Sequence, residues 1–248
     1  MNWWVINDGA HKESLHHALD EVLLRRISKK DIPPTLRFWH RKNSAVPIGR
    51  FQSVTDEVNE AYAQTQNIDV VRRITGGGAM FLEPNDAITY SLYLPRDLVS
   101  SNVEESYAEC DSFAVKALRT LGLNVKYAPL NDIEHTDGKV AGAAQLRKGK
   151  GVLHHTAMSY NMNTERMLKV LRIGKEKLSD KAIKSAEKRV TRIKDYTSAS
   201  RDEVIDALIE SFSTGKDVTR VSLPEDLLSE AKRLAKEKFE DDDWTYCM

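Results

Sequence analysis

The stretch DGKVAGAAQLRKGKGVLHHTAMSY, residues 137–160, predicts two adjacent antiparallel β-strands. The Asp-Gly pair at 137–138 is typical of a two-residue hairpin turn, and the glycine-containing segment at 147–151 is typical of a longer turn. The runs KVAGAAQL and VLHHTAMSY are short and bounded by turn residues, as strands are. Because NVKYA and NDIEH precede them with similar spacing, residues 124–160 are interpreted as a β-meander.

The rest of the chain mixes helical and strand-like patterns. Apolar residues at helical spacing and strand-forming runs distinguish the two kinds of segment. Helices are predicted near residues 11–28, 55–66 and 107–121, and strands at 35–40, 69–74 and 87–94. From about residue 200 the pattern is helical, and Ser200–Glu203 and Ser222–Glu225 have the spacing of capping boxes. The predicted fold class is α+β, a single domain over residues 1–248 with a mixed β-sheet flanked by helices and a helical tail at about 200–248.

Composition and charge narrow the class of protein. The chain has 248 residues, of which 41% are hydrophobic, and this is enough for a sizeable core. Lys plus Arg (37) balances Asp plus Glu (37), so no global charge favours nucleic acid or an anionic membrane as a partner. No run approaches the roughly 20 apolar residues of a membrane span. Cys110 and Cys247 are too few for a disulfide framework, and a cytoplasmic location is expected.

RRITGGGAM, residues 72–80, places two arginines before three consecutive glycines. Glycine loses much conformational entropy on folding, so this run indicates either a tight turn or a backbone that another group approaches closely. Guanidinium groups match phosphate and carboxylate geometry, which favours an anion as that group. Because side chains alternate along a strand, only one of Arg72 and Arg73 is expected to face it. The pattern is neither GxxxxGK[ST] nor GxGxxG, and a plain glycine turn is the alternative.

Two further features lie in the predicted meander. Lys139 leads into AGAA, whose small side chains leave room for a ligand against the strand. A lone lysine is more often a solvated surface charge. His154 and His155 point to opposite faces of their strand, so a metal-binding pair is not expected. For each histidine, a structural role in the core or at the surface is the alternative.

Four motifs occur in the order RRITGGG, NDI, GKVAGAAQ and HH, and together they resemble the lipoate-protein ligase family. IGRFQ at 48–52 and KSAEKRVTRI at 184–193 also fit, and the resemblance covers roughly residues 10–215. The chain is similar to the archaeal type, in which the catalytic subunit is short and the accessory domain is a separate polypeptide. The resemblance implies the catalytic fold of the biotin and lipoyl protein ligases.

The resemblance also implies a two-step, ATP-dependent reaction. Lipoate attacks the α-phosphate of ATP to give lipoyl-AMP, and a lysine of a lipoyl domain then takes the lipoyl group. Lys139 matches the catalytic lysine, whose ammonium would stabilise the α-phosphate and the developing oxyanion. Asp132 would hold Mg²⁺. The binding residues would be Arg72, Gly76, Gly77, Gly78, Ala79, Asn131, Asp132, Gly142, Ala144 and His155, with Arg50, Arg73, Glu83 and His154 as further candidates. Of the paired residues, Arg72 and His155 are expected to face the ligand.

The expected partners are lipoyl-domain acceptors and a separate accessory protein. The acceptors would be E2 subunits of 2-oxoacid dehydrogenases, the glycine-cleavage H protein or similar proteins. The chain ends at Met248, and the C-terminal accessory domain is expected to be absent, so this polypeptide alone would use preformed lipoyl-AMP but make it poorly. One departure from the family pattern is FLEP at 81–84, which stands where aromatic-His-Asp is usual. Glu83 or Asp86 is the candidate replacement for the carboxylate.

Three other functions are considered. A lipoyl or octanoyl transferase would pass the acyl group through a cysteine and need no ATP, but PLNDIE at 129–134 has no cysteine where the related cysteine enzymes have theirs. A biotin ligase is disfavoured because the signature of that family does not stand where RRITGGG does. A non-catalytic binder of lipoate or lipoyl domains is the third.

Overall fold

The structure is a computed structural model that describes residues 1–7, 9–172 and 190–248. Within these residues a nine-stranded sheet runs through the molecule in the order β11-β1-β3-β6-β10-β9-β8-β7, with β2 paired to β3, and β4 and β5 form a separate parallel pair. The strands are β1 Asn2–Ile6, β2 Ala10–His11, β3 Thr35–Arg41, β4 Ala45–Ile48, β5 Asp69–Arg72, β6 Ala87–Pro95, β7 Val125–Ala128, β8 Asp132–His135, β9 Gly138–Lys148, β10 Gly151–Ser159 and β11 Asp217–Arg220.

The sheet is mixed. Strand β1 is parallel to its neighbours β3 and β11. From β3 through β6, β10, β9 and β8 to β7, every pair is antiparallel. The last four strands are the predicted meander, and the turn at Gly149, with φ +58°, joins its two longest members.

Helices cover both faces of the sheet. Helices α1 and α7 pack on one side, which we call the α1 face, and α4 and α6 pack on the other, the α4 face. The helices are α1 Glu13–Lys29, α2 Val54–Glu57, α3 Glu60–Thr65, α4 Val103–Thr120, α5 Thr164–Val170, α6 Arg201–Ser213, α7 Glu225–Leu234 and α8 Asp242–Thr245.

Each face has its own apolar core because the strands alternate their side chains. On the α1 face, Leu19 and Leu23 of α1 pack against Tyr93 and Leu153 of the sheet. On the α4 face the corresponding core includes Phe38, Tyr90, Phe113, Leu118 and Phe212. The predicted fold class, a mixed sheet flanked by helices, is confirmed.

Local details differ from the sequence-based expectations. The helix predicted at 55–66 is two short helices, α2 and α3, separated by Val58 and Asn59. Residues 200–248 are not entirely helical, because β11 adds an edge strand beside β1.

The second predicted capping box is also wrong. Helix α7 starts after Pro224, which makes no side-chain cap, whereas Ser200 and Glu203 form the complete box at the start of α6. Proline at the cap position has no side-chain acceptor to offer the first turn.

Two further expectations concern the KSAEKRVTRI segment and membrane-spanning helices. Residues 184–189 of the KSAEKRVTRI segment lie outside the described residues; the remaining part begins at Val190, which forms a parallel bridge with Lys139. In the described residues, no helix has the length and apolar character required to cross a membrane.

The capping difference gives a test of the fold. We expect Ser200→Ala to lower the free energy of unfolding by about 1 kcal/mol, because it removes the acceptor for the N–H of Glu203. Ser222→Ala is the matched control and should change it by less than about 0.5 kcal/mol, because Ser222 caps no helix. Urea unfolding of both variants measures the difference, and equal effects would contradict the assignment.

Candidate functional site

A cavity of about 290 Å³ lies on the α1 face of the sheet. The sheet forms its floor, α1 forms one wall, and the glycine loop after β5 forms another. Apolar side chains near α5, Met162 and Met167, close the remaining side. The predicted site residues on its lining are Arg73, Gly77, Gly78, Ala79, Asn131, Lys139, Gly142, Ala144 and His155.

The floor of the cavity follows a row of residues that are paired across four strands. Gly142 on β9 is opposite Ala157 on β10, which is opposite Thr89 on β6, which is opposite Trp39 on β3. Directly opposite residues share a face of the sheet, so this row forms a continuous track. Its first two members are small, which leaves space for a ligand.

Lys139 lies at the β9 end of this track. Its Nζ is 2.7 Å from Asp132 Oδ1, and its side chain is 42% exposed. A Cβ atom at Gly142 would lie 2.7 Å from the same Nζ, so any larger residue there would displace the ammonium. The position of the lysine ammonium therefore depends on the bare backbone at Gly142 as well as on the turn that precedes Lys139.

The glycine loop combines a backbone requirement with open space. Gly77 has φ +96°, a conformation that favours glycine. A Cβ atom at Gly49 would lie 1.9 Å from the Gly77 carbonyl oxygen, so Gly49 must also be bare. Among the described residues, added Cβ atoms at Gly76 and Gly78 would meet no heavy atom within 4 Å. The glycine loop is thus packed against Gly49 at Gly77 and has open space beside Gly76 and Gly78.

The two arginines before the glycines have the opposite orientation to the one expected. Arg73, and not Arg72, lines the cavity. Its guanidinium donates hydrogen bonds to the carbonyl oxygens of Pro47, Gly76 and Gly78, and thereby shapes the loop. Burial lowers the pKa of Arg73 to about 10, so the group is still cationic at neutral pH.

Arg72 points away from the cavity and is completely buried. It donates to the backbone carbonyls of Gly49, Arg50 and Gln52 in the loop after β4. It also donates to the carbonyls of Trp244 and Thr245 in α8. Arg72 therefore joins two backbone segments. The alternation of side chains along the strand is compatible with this role but does not show which of the two arginines has it.

A relay of polar groups connects α1 to the glycine loop. His155 Nδ1 is 2.9 Å from Asp20 Oδ2, and His155 Nε2 is 2.9 Å from Thr75 Oγ1. Burial lowers the pKa of His155, so the ring is neutral, donating from Nδ1 and accepting at Nε2 from the Thr75 hydroxyl. Thr75 Oγ1 in turn accepts from Arg73 Nε. His155 lies on the cavity lining.

The end of the cavity opposite Lys139 is polar. Arg41 forms a two-point ion pair with Glu13, with distances of 2.7 Å and 3.3 Å, and donates to Thr89 Oγ1 at 2.9 Å. His17, one turn along α1 from Glu13, is 2% exposed and also lines the cavity. Sequence reasoning missed this group, and it missed Asp20 and Thr75.

Asn131 lies on the lining, and its amide donates to the Ala143 carbonyl oxygen at 2.6 Å. In the described part of the chain, the other candidates lie off the lining. Asp132 reaches the site through its ion pair with Lys139, and Glu83 is paired with Arg166 instead. The others are Gly76, whose carbonyl accepts from Arg73, Arg50, which stacks on Trp244, and His154, which bonds Asp111 on the α4 face.

Both cysteines are away from the cavity. Cys110 is buried on α4, in the core of the opposite face, as expected from its helical stripe. Burial raises the pKa of its thiol, which keeps the sulfur in the poorly nucleophilic protonated form. Cys247 is exposed near the end of the chain, where its Sγ is 3.3 Å from an Arg50 nitrogen.

The sequence profile of the lipoyl protein ligase A/B catalytic domain matches residues 14–213. The chain belongs to this family. The match includes the sheet strands from β3 to β10, α1 after its first residue and the glycine loop, and so covers every lining residue of the cavity except Glu13.

Individual members show two kinds of relative. Lipoate-protein ligase A subunit 1 of Thermoplasma acidophilum is 31% identical over 242 residues, covering 92% of this chain and 89% of that protein. Octanoyltransferase LipM of Clostridioides difficile is 29% identical over 264 residues, covering 97% of this chain and 96% of that protein.

Solved structures share the fold over nearly the whole chain. A bi-partite lipoate protein ligase, studied with its E2 lipoyl domain from Thermoplasma acidophilum, superposes with a TM-score of 0.86 at 27% identity, covering 99% of this chain and 95% of that one. A lipoate-protein ligase A bound with ATP superposes with a TM-score of 0.87 at 26% identity and 99% coverage of both chains.

The orientation of Arg72 is testable by unfolding. We expect Arg72→Met to lower the free energy of unfolding by about 3 kcal/mol, because it leaves several buried carbonyls without donors. Arg50→Met is the control and should lower it by about 1 kcal/mol or less, because Arg50 is only half-buried and its contacts are with the Phe51 and Trp244 rings and the exposed Cys247. An Arg72→Met protein of unchanged stability in urea would contradict this role.

Proposed function

We propose that this protein is the catalytic subunit of an ATP-dependent lipoate-protein ligase. The observation that carries the proposal is the position of Lys139: its ammonium lies over Gly142, at one end of a cavity whose floor has small side chains. A cation at the end of a slot floored by small side chains is suited to an acid that becomes activated at its carboxyl group. The similarity to a lipoate-protein ligase A bound with ATP supports the use of this nucleotide.

In the first step, a carboxylate oxygen of lipoate attacks the α-phosphorus of ATP. The bond from that phosphorus to the bridging oxygen breaks, and pyrophosphate leaves with the electron pair. Lys139 would stabilise the charge on the α-phosphate, and the open backbone at Gly76 and Gly78 would let the adenylate lie against the loop. Arg73 would hold that loop in shape through its carbonyl contacts.

Magnesium fits this site only with help from the nucleotide. In the described ranges, no group of three His, Cys, Asp or Glu side chains is arranged to hold a metal ion. Asp132 offers one carboxylate beside Lys139, and Mg²⁺ is commonly bound by one or two carboxylates together with substrate phosphates. Bound in this way, Mg²⁺ would neutralise phosphate charge during the displacement.

In the second step, the ε-amine of an acceptor lysine attacks the carbonyl carbon of lipoyl-AMP. An amide bond forms, the bond to the AMP oxygen breaks, and the amine loses a proton to solvent as AMP leaves. Lys139 is the second residue of β9, directly after the β8–β9 turn, and its ammonium would stabilise the developing oxyanion. No covalent enzyme intermediate is needed.

The partners are inferred from the relatives. One similar protein is a subunit 1, and one similar structure is a bi-partite ligase with its E2 lipoyl domain. We infer a separate accessory protein that supports activation of the acid, and an acceptor that is a lipoyl domain of an E2 subunit, a glycine-cleavage H protein or a similar carrier.

A second function is favoured by the resemblance to octanoyltransferase LipM. Transfer through a cysteine thioester would need a thiol at the cavity. Cys110 is buried on the opposite face of the sheet, and Cys247 follows α8 near the last residue, so neither lines the cavity. The positions of the thiols therefore favour the adenylate route over the thioester route.

We expect Lys139→Ala to reduce lipoyl transfer from synthetic lipoyl-AMP by at least about 100-fold, because the ammonium would stabilise the developing oxyanion. Cys110→Ser and Cys247→Ser should retain activity near that of the wild type. The acceptor is an apo lipoyl domain, and its gain in mass is measured by mass spectrometry, with and without ATP, lipoate and a candidate accessory protein.

Loss of transfer in either cysteine variant would favour the thioester route. No gain in mass under any condition, lipoyl-AMP included, would leave a non-catalytic binder as the function.

The space over the glycine loop gives a separate prediction. We expect Gly78→Ala to leave the thermal unfolding midpoint unchanged, because the added methyl group meets no heavy atom of residues 1–7, 9–172 and 190–248 within 4 Å. The same variant should bind a lipoyl-adenylate analogue about tenfold more weakly, because the methyl group occupies the space of the ligand. Gly49→Ala is the contrasting variant and should be destabilised, because its Cβ atom would strike the Gly77 carbonyl. Unchanged affinity in Gly78→Ala would place the ligand elsewhere.

A further inference from the structure

We propose that the far end of the cavity selects an acyl chain with a hydrogen-bond acceptor at its distal end, and discriminates against a methyl-ended chain. The residues responsible are Arg41, Glu13 and His17. The inference rests on the proposed function, because it takes Lys139 as the position of the carboxyl group.

The distance between the two ends matches a chain of about eight carbons. Lys139 Nζ lies over Gly142, and the Arg41 guanidinium lies beside Thr89 Oγ1, at 2.9 Å. Gly142 and Thr89 are separated by β10, so they are two strand spacings apart, or about 10 Å. An extended eight-carbon acyl chain is about 9 Å long when C–C bonds near 1.5 Å are projected on its axis. The distal atoms of such a chain would therefore lie beside Arg41.

Arg41 has donors left for a ligand. The side chain is 5% exposed, and its three hydrogen bonds go to Glu13 and Thr89. A guanidinium has five N–H groups, so among the described residues two of them make no hydrogen bond. Burial raises the pKa of Glu13 while the charge of Arg41 lowers it, and the net pKa is below the ordinary value, which keeps the pair ionised.

His17 adds a second polar group, one of whose ring nitrogens has no partner among the described residues. It is 2% exposed and lines the cavity, packed edge-on against Trp39 and stacked on Phe239. Its Nε2 lies 3.3 Å from Glu13 Oε1, an ion-pair contact, and its Nδ1 has no hydrogen-bond partner in the described part of the chain. An imidazole ring carries at least one N–H donor in either protonation state.

The energetic consequence is selective. A methyl group beside Arg41 and His17 would exclude water from their remaining N–H donors and would offer no acceptor in its place. Buried donors without an acceptor are unfavourable. An oxygen or sulfur at the same position accepts from them. Sites built to hydrogen-bond a substrate group reject the analogue that lacks it more strongly than apolar pockets reject a missing methylene.

The test compares three non-hydrolysable ligands on the full chain by isothermal titration calorimetry. They are the sulfamoyl-adenosine conjugates of octanoic acid, 8-hydroxyoctanoic acid and lipoic acid. We expect the 8-hydroxyoctanoyl and lipoyl conjugates to bind at least about tenfold more tightly than the octanoyl conjugate. In Glu13→Leu/Arg41→Met, both charges are replaced by apolar groups of similar size, and this preference should disappear.

Two further variants keep the result interpretable. His17→Met leaves the ion pair in place and should reduce the preference in the same direction, even if the double variant does not fold. Arg26→Met/Glu230→Leu removes a different ion pair of α1, away from the cavity, and should leave the preference unchanged.

The outcomes separate the two levels of inference. Equal affinity of the wild type for the octanoyl and 8-hydroxyoctanoyl conjugates, or a preference that survives both cavity variants, overturns this inference and leaves the ligase proposal standing. Failure of all three conjugates to bind overturns the ligase proposal and this inference with it.

Discussion

The site depends on one buried carboxylate, Asp20, in the middle of α1. Its Oδ1 accepts hydrogen bonds from Ser91 and Tyr93 on β6, and its Oδ2 accepts from His155 on β10. Burial alone would raise the pKa of Asp20, but the hydrogen bond from His155 and the nearby charge of Arg37 lower it below the ordinary value. A single side chain thus fixes the helix over two strands, and it is stable there because each oxygen has partners.

Both ends of the cavity follow from that anchor. Through His155 and Thr75 the network reaches Arg73, which shapes the glycine loop near Lys139. In the other direction, Glu13 and His17 precede Asp20 by seven and three residues on α1, so all three share a face of the helix and point to the sheet. The helix that holds the loop in place therefore also supplies the polar far wall.

The sequence predicted the meander, the small-residue track and Lys139, because period-two alternation and turn residues are local signals. It favoured His155 over His154 and Arg72 over Arg73, whereas His155 and Arg73 line the cavity, since alternation shows that two neighbours diverge and not which one faces inward. Glu13, His17 and Asp20 were missed because a polar stripe on a helix has the same sequence pattern as a solvated face. Only the packing of α1 on β6 and β10 reveals that this stripe is buried. Arg72 was also beyond local reasoning, as its partners include Trp244 and Thr245, far along the chain.

The central claim is that Lys139 and the track from Gly142 to Thr89 hold an acyl-adenylate in one direction. A crystal structure of the protein with lipoyl-sulfamoyladenosine tests it most directly. The account predicts the acyl carbonyl oxygen within hydrogen-bond distance of Lys139 Nζ, the adenylate against Gly76 and Gly78, and the dithiolane beside Arg41. A ligand bound outside the cavity, or with its acyl chain running away from Thr89, would contradict the account.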